Sequence, residues 1–539
     1  MSKFTDPYVE GLARGWQIVD ASALTGDRQL EADVVIVGTG AGGGVTAETL
    51  CKAGLKVVLL EEGPLKTTRD FKMRESEAYP SLYQESAARQ TKDKGISILQ
   101  GRTVGGSTTV NWTSSFRTPP DTLTFWQKNF GLKDHTVEQL QPWFEMMERR
   151  LHVQDWLTAP NANNNVLKVG AEKLGISWGH IRRNINGCWN LGYCGMGCPT
   201  NAKQSMLVTT LPAALEKGAI LLVETRAEQF EIAEGRVQSV RCIAVKPNSA
   251  PVEYGSKATK IIARHIVLAA GAINSAALLL RSQAPDPYER LGRRTFLHPV
   301  VMSGAIMDQK VQAWAGAPQT IYTDHFMDIQ AIDGPMGFKL EASPLHPMLF
   351  TSALVGYGQA QAELLKKFPH SHLLLALLRD GFHEQSPGGQ VTLRADGSAV
   401  LDYPLTDFVM DGARRALLSM MEIQFAAGAQ QVLPMHEMAR PYTTWAQAQR
   451  AVQEFPMKTL LTKVVSAHVM GGCGMAGSEN MGVTRPDGVH WQLNNLSIHD
   501  GSIFPTSIGA NPQLSIYGIT NRLTQGLIKR LIGKNLTLA

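Results

Sequence analysis

Residues 34–64 read VVIVGTGAGGGVTAETLCKAGLKVVLLEEGP, and the order of residue types in them decides the fold. An apolar β-branched run enters Gly38, Gly40 and Gly43, spaced as G-x-G-x-x-G. A helix-like segment follows over 45–53, and a second apolar run over 57–60 ends on Glu61. Strand, tight turn, helix and strand in this order make a nucleotide-binding βαβ unit. Gly38 permits the turn, Gly40 lets backbone approach a pyrophosphate, and Gly43 lets the helix pack close to the strand. The helix N-terminus offers unpaired N–H groups to a phosphate. Glu61 stands where a carboxylate accepts hydrogen bonds from an adenosine ribose. A plain Gly-rich surface loop would leave that acid unexplained.

The chain has 539 residues, more than one ordinary core holds, so two or more domains are expected. Its formal charge of +5 is mild and no basic run occurs, which argues against a nucleic-acid partner. No uninterrupted apolar stretch reaches the ~18 residues of a membrane-spanning helix. The first 30 residues carry neither a basic-then-apolar signal pattern nor a twin-arginine pair. The expected location is therefore cytoplasmic. The six cysteines are too few to staple a chain of this size, so their clustering matters more than their number.

Outward from the opening unit, residues 101–111 read GRTVGGSTTVN. Small residues in series allow close backbone approach to something flat or charged, and equally make an ordinary turn. Segments 136–153 and 164–174 have apolar positions near helical spacing and are expected to be packing helices. Residues 184–206 form a turn-rich loop holding Cys188, Cys194 and Cys198. Runs 220–224 and 237–245 look like strands about a Glu234-Gly235 turn. Residues 265–275, HIVLAAGAINS, repeat the strand–turn–helix theme and are expected to return the chain to the first sheet. Residues 300–455 turn rich in Met, His, Pro and aromatics, with an apolar run at 373–378 and hairpin-like pieces at 390–393 and 399–403. A second domain on an antiparallel sheet is expected there. Its histidines, His325, His346, His370, His372 and His383, show no metal-ligand spacing. The last segment carries His468-Val-Met-Gly471, Asp500-Gly501-Ser502 and Asn511-Pro512-Gln513 ahead of a final helix.

Together these pieces resemble the glucose–methanol–choline (GMC) family of flavin oxidoreductases over 33–112, 260–305 and 460–530. The resemblance rests on the Gly-rich βαβ with its Glu, G-R-x-x-G-G-S followed by Asn111, A-A-G-A-I-N-S at 269–275 and G-R-x-x-x-x-H-P at 292–299. H-x-x-G, D-G-S and N-P-Q complete it. It implies an α/β + β fold: a discontinuous Rossmann-like FAD-binding domain and a smaller substrate domain on an antiparallel sheet. The implied FAD-binding parts are 30–112, 185–305 with the cysteine loop 188–198, and 455–539. The lid or substrate-side segment is 113–184, and the substrate domain is 306–454.

The resemblance further implies that Gly38, Gly40, Gly43 and Glu61 hold the ADP half of FAD. Gly105, Gly106, Ser107 and Asn111 lie along the flavin, with Asp500 and Gly501 near the ribityl and pyrophosphate. Some relatives attach FAD through a His just before that Asn; Val110 stands there, so non-covalent FAD is expected. The implied catalytic pair is His468 and Asn511, eleven positions after Asp500. A neutral imidazole suits removal of an alcohol proton as hydride leaves for the flavin, and an amide suits orientation of the alcohol oxygen.

Cys188, Cys194 and Cys198 form C-x5-C-x3-C-P. The spacing is similar to the [3Fe-4S] loop in the flavin subunit of membrane-linked sugar dehydrogenases, except that Trp189 replaces their second Cys. C-G-x-G-C followed by A-K-Q-S is similar to long-chain alcohol oxidases, and three ordinary thiols are the third reading. The expected function is FAD-dependent oxidation of a hydrophobic primary alcohol. Electrons would pass to a cytochrome c or quinone, through the iron–sulfur cluster, with a small partner subunit carrying the chain out of the cytoplasm. The alternatives are an oxygen-using oxidase without a cluster, and a non-redox FAD lyase or light-driven decarboxylase of the same fold.

Overall fold

A computed structural model describes residues 6–246, 253–354 and 356–534. Parts of three expected segments thus lie outside the described residues: 247–252 of 185–305, 355 of 306–454, and 535–539 of 455–539.

The opening stretch folds as read. Strand β1 (Arg28–Val37) leads through Gly38 into helix α1 (Ala41–Lys52), and β2 (Val57–Leu60) returns parallel to β1, with Val34 opposite Val57 and Val37 opposite Leu60. Both strands bury their apolar ends on both faces, as a sheet covered by helices requires. The helix starts four residues before the expected 45, inside the glycine run. Strand β3 (Tyr254–Leu268) lies parallel on the other side of β1, with His265 opposite Val34, and leads into helix α2 (Ala272–Arg281). The chain thus comes back to the first sheet through the A-A-G-A-I-N-S turn.

Among the described residues two sheets of eight strands dominate. The first continues outward from β2 through Ile220–Val223 to Gln17–Asp20, both parallel. Beyond β3 it continues through the antiparallel hairpin Thr225–Ala233 and Arg236–Val245. The short strand Leu496–Ile498 joins the C-terminal end of β3 in parallel. It delivers His499 and Asp500 to the ends of the strands, where open α/β sheets place their ligands.

The second sheet is largely antiparallel. Val300–Met307 pairs with Ser371–Leu378, which pairs with Phe338–Ala342, then Ile321–Thr323 and Gly179–His180. Ala429–Pro434 also pairs with Val300–Met307. Val464–Ser466 and Ile96–Ile98, from either side of the middle segment, close the other edge. Ser371–Leu378 is buried throughout, which explains its unbroken apolar run. The pieces at Gln390–Leu393 and Ala399–Asp402 pair as a hairpin of their own. Helix α3 (Gln513–Ile532) closes the molecule against α1 and the helix Val137–Arg150. Among the described residues no helix is long and apolar enough to cross a membrane.

The glycines of α1 answer to two different demands. Gly38 has φ +100°, and a β-carbon on it would strike the carbonyl oxygen of Ala269 at the end of β3. Gly42, outside the G-x-G-x-x-G pattern, is pressed against the carbonyl oxygen of His499. An added β-carbon on Gly40 would meet nothing nearer than Gly106 Cα at 3.9 Å. Gly42→Ala is therefore expected to destabilise the fold by about 1–3 kcal/mol through overpacking. Gly40→Ala is expected to leave thermal unfolding of the flavin-free protein unchanged while lowering its flavin content. Thermal unfolding and flavin absorbance of the two variants check both outcomes.

Candidate active site

The two Gly-rich loops meet face to face. A β-carbon on Gly106 would fall 2.8 Å from Gly40 Cα, so the second loop meets the first without room for a side chain on Gly106. The Gly105 N–H donates to Thr39 Oγ1 (3.0 Å), and Thr39 Oγ1 donates to Glu61 Oε2 (2.5 Å). Glu61 Oε1 accepts from the Gly63 N–H (2.9 Å). Burial pushes the Glu61 carboxyl up to about 7, against the pull of these donors. No side chain caps the N-terminus of α1. Gaps lined by glycine, an uncapped helix start and an acid at the strand end fit the pyrophosphate and ribose of a dinucleotide.

Ser107 accepts the Gly101 N–H on its hydroxyl oxygen (2.9 Å), folding the 101–111 segment on itself. Asp500 is held from all sides: Oδ2 accepts from the Gly271 N–H (2.9 Å) and Ser275 Oγ (2.6 Å), and Oδ1 from the Ser502 N–H (2.8 Å). Asp500 thereby staples the start of α2 to the D-G-S turn. Gly501 sits in the same turn, beside Ile516 of α3.

Asn111 and the N-P-Q turn are joined by a side chain the sequence did not single out. Asn111 Nδ2 donates to Gln513 Oε1 (2.6 Å), which also accepts from Tyr517 OH (2.9 Å). Gln513 Nε2 donates to the Ser114 carbonyl (2.8 Å) and Asn184 Oδ1 (3.0 Å). Ser114 Oγ donates to Gln319 Oε1 (2.9 Å), and Gln319 Nε2 donates to Glu341 Oε2 (2.5 Å). Asn511 Nδ2 reaches the same Glu341 oxygen at 3.3 Å. A continuous polar path thus runs from Asn111, along the first domain, to Asn511, through the second sheet.

His468 faces His298, the His of the H-P motif, with their Nδ1 atoms 3.3 Å apart. The Gly509 N–H donates to His298 Nε2 (3.0 Å), so neutral His298 carries its hydrogen on Nδ1, between the two rings. Burial pushes His468 down to about 4 and holds His298 well below the ordinary histidine range, its neighbour His468 adding to the effect. Both rings are neutral near pH 7. Gly509 lies two residues before Asn511, so the H-x-x-G and H-P segments are hydrogen-bonded to the loop that leads into N-P-Q.

The cysteine loop corrects an expectation. Cys188, Cys194 and Cys198 are free, and among the described residues no group of three or more His, Cys, Asp or Glu side chains is placed to hold a metal ion. The sulfurs are turned to separate donors: Cys188 to the Asn190 N–H (3.4 Å), Cys194 to Arg183 Nη2 (3.9 Å), Cys198 to the Lys203 N–H (3.5 Å). Two buried cations, Lys203 and Arg183, lie beside the loop. Lys203, of the A-K-Q-S run, donates to the carbonyls of Thr109 (2.6 Å), Asn111 (2.9 Å) and Cys194 (2.7 Å). Arg183 donates to Thr113 Oγ1 (2.7 Å) and the Trp112 carbonyl (3.1 Å). The loop therefore braces the back of 109–113.

A GMC oxidoreductase family model for the N-terminal part matches residues 79–300, and one for the C-terminal part matches 385–520. The chain is 30% identical to long-chain-alcohol oxidase FAO4B of Arabidopsis thaliana, over 93% of this chain and 68% of that protein. It is 27% identical to FAO4A of the same plant, over 91% and 68%. Among solved structures, pyridoxine 4-oxidase from Mesorbium loti superposes with a TM-score of 0.67 at 17% identity, over 92% of this chain and 98% of that one. Gln513→Leu is expected to cost about 1–3 kcal/mol for each buried partner it orphans and to weaken flavin retention. Thermal unfolding of the flavin-loaded protein measures the first effect, and flavin absorbance after gel filtration the second.

Proposed function

The chain belongs to the GMC oxidoreductase family and is an FAD-dependent alcohol-oxidising enzyme; from that premise we propose that it oxidises a hydrophobic primary alcohol to the aldehyde. The observation that supports this reading is the contact of His468 with His298, whose ring accepts the Gly509 N–H two residues before Asn511. In this reading Gly38, Gly40, Gly43 and Glu61 hold the ADP half of FAD. Gly105, Gly106, Ser107 and Asn111 line the flavin side, with Asp500 and Gly501 between the two halves. When bound, FAD supplies the acceptor for the hydride leaving the alcohol carbon.

His468 takes the hydroxyl proton and Asn511 orients the hydroxyl oxygen. For the outer nitrogen of His468 to accept a proton, its Nδ1 must hold the hydrogen that lies between the rings. In that exchange the hydrogen on His298 Nδ1 passes to His468 Nδ1, the hydrogen on His468 Nε2 leaves to water, and His298 Nε2 takes one from water, giving up the Gly509 contact. His298 therefore takes part in activating His468.

The hydrophobic substrate is supported by the wall of the second sheet. Val300, Leu375 and Leu377 form an apolar cluster with Met302, Val465 and Trp112, which directly follows Asn111. Relatives named long-chain-alcohol oxidases point the same way and favour oxygen as the electron acceptor over a cytochrome or quinone.

His468→Ala is expected to slow anaerobic reduction of the flavin by a primary alcohol at least about a hundredfold, with FAD still bound. Near-normal reduction would remove His468 from the mechanism. Readmitting oxygen to the reduced wild-type enzyme should restore the oxidised spectrum within turnover times. Reoxidation only by an artificial one-electron acceptor would assign a dehydrogenase instead. Since Val110 offers no attachment atom, acid precipitation should release the flavin into the supernatant; flavin in the pellet would refute non-covalent binding.

A further inference from the structure

The strand Phe338–Ala342 is buried along its length, and its pleat turns Lys339 and Glu341 to one face. Across the ladder these residues stand opposite Leu377 and Leu375, which belong to the apolar wall beside Trp112. A carboxyl group in such a wall costs desolvation that a leucine would not. Burial pushes the Glu341 carboxyl up to about 7, while Lys339 pulls it back toward the ionised form. Lys339 is itself held by Asp324 (2.5 Å) and lies over the rings of Phe116 and Tyr322. Glu341 Oε1 has no protein partner. A residue kept for packing alone would not leave a buried oxygen in this condition.

The other oxygen shows what the carboxylate does. Oε2 accepts from Gln319 Nε2 and from Asn511 Nδ2. In the ionised form that Lys339 favours, the carboxylate only accepts, and the contact then presents Asn511 Nδ2 to the wall. Asn511 Oδ1 is left buried and without a protein partner, and the second hydrogen on Nδ2 is the one that can be donated to an alcohol oxygen. Gln319 is fixed in turn by Ser114, so the anchor is itself held by the segment that follows Asn111.

We propose that Glu341 is a positioning residue that anchors Asn511 Nδ2 and so sets the amide in one orientation toward the alcohol. The proposal rests on the reading of Asn511 as the group that orients the substrate. Glu341 need not touch the substrate; it acts through Asn511.

The test is a double-mutant cycle on the flavin-loaded enzyme, read as the limiting rate of anaerobic flavin reduction by 1-octanol. Asn511→Ala is expected to slow reduction at least about thirtyfold, toward the loss seen when a fixed hydrogen-bonding group is removed from a reacting oxygen. Glu341→Leu is expected to slow it about tenfold while the half-saturating alcohol concentration moves less than about threefold, as loss of a reaction-specific contact requires. Glu341→Gln keeps an oxygen for the Asn511 N–H and should recover the rate to within about threefold of wild type. In the Asn511→Ala background, Glu341→Leu should add nothing beyond about twofold, because neighbours acting through one contact are not additive. If Glu341→Leu loses its flavin, Glu341→Met takes its place in the cycle. Equal slowing by the Glu341 variant in both backgrounds would overturn the proposal, as would a Gln variant no better than Leu. An unimpaired Asn511→Ala enzyme would instead overturn the role of Asn511 itself.

Discussion

The side chain of Gln513 is where the two domains are made to agree. Its carbonyl oxygen takes the Asn111 amide, and its amide nitrogen reaches Ser114 and Asn184. Gln513, Ser114 and Asn184 are buried and Asn111 is half-buried, so groups left unpaired there carry a desolvation cost. The network is therefore strict: it is satisfied only when the 101–111 segment, the 511–513 turn and the second sheet are mutually in place. The catalytic candidates inherit this strictness. Asn511 lies two residues from Gln513, and the chain through Ser114, Gln319 and Glu341 returns to its own amide.

On the nucleotide side the same economy appears in a shorter circuit. Gly105 is tied to Thr39 and Thr39 to Glu61, so the second Gly loop is located by the acid that ends β2. The loops meet closely at Gly40 and Gly106, where Gly106 has no room for a side chain. Rigid placement of this kind suits a cofactor that remains bound through turnover. It also explains why the opening segment contributes no catalytic side chain: its atoms are committed to holding a gap open.

How much of this was legible in sequence follows from how local each signal is. The strand–turn–helix–strand order over 34–60 is read correctly because its parts lie within a few residues of one another. The start of α1 is misread because Gly42, Gly43 and Gly44 look like a loop; they are helical glycines forced by His499, Gly38 and the side chains of Met206 and Thr210. The polar stretch 65–95 hides the helix Glu75–Leu82. The edges of the second sheet come from Ile96–Ile98, Gly179–His180 and Val464–Ser466, strands too short to carry a period. Glu341 and Gln319 carry no motif at all. Their meaning lies in contacts with residues 170 and 22 positions away, and no local pattern encodes those.

The cysteine loop shows the opposite failure, a vivid local signal with a non-local explanation. Three cysteines at close spacing invite a ligand set, but spacing says nothing of what else enters the space. Lys203 and Arg183 stand beside the loop, and burial lowers the Lys203 ammonium to about 8, a sign of how little solvent reaches it. A buried ammonium bonded to three carbonyls is a strong local constraint, since each carbonyl would otherwise need another donor. Those carbonyls include Thr109 and Asn111, and Arg183 takes Trp112 and Thr113 beside them. The loop thus acts on the site mechanically. It stiffens from behind the one segment whose front face carries Asn111, and through Asn111 it stiffens Gln513. The feature that most resembled a second redox centre is better understood as the buttress of the first.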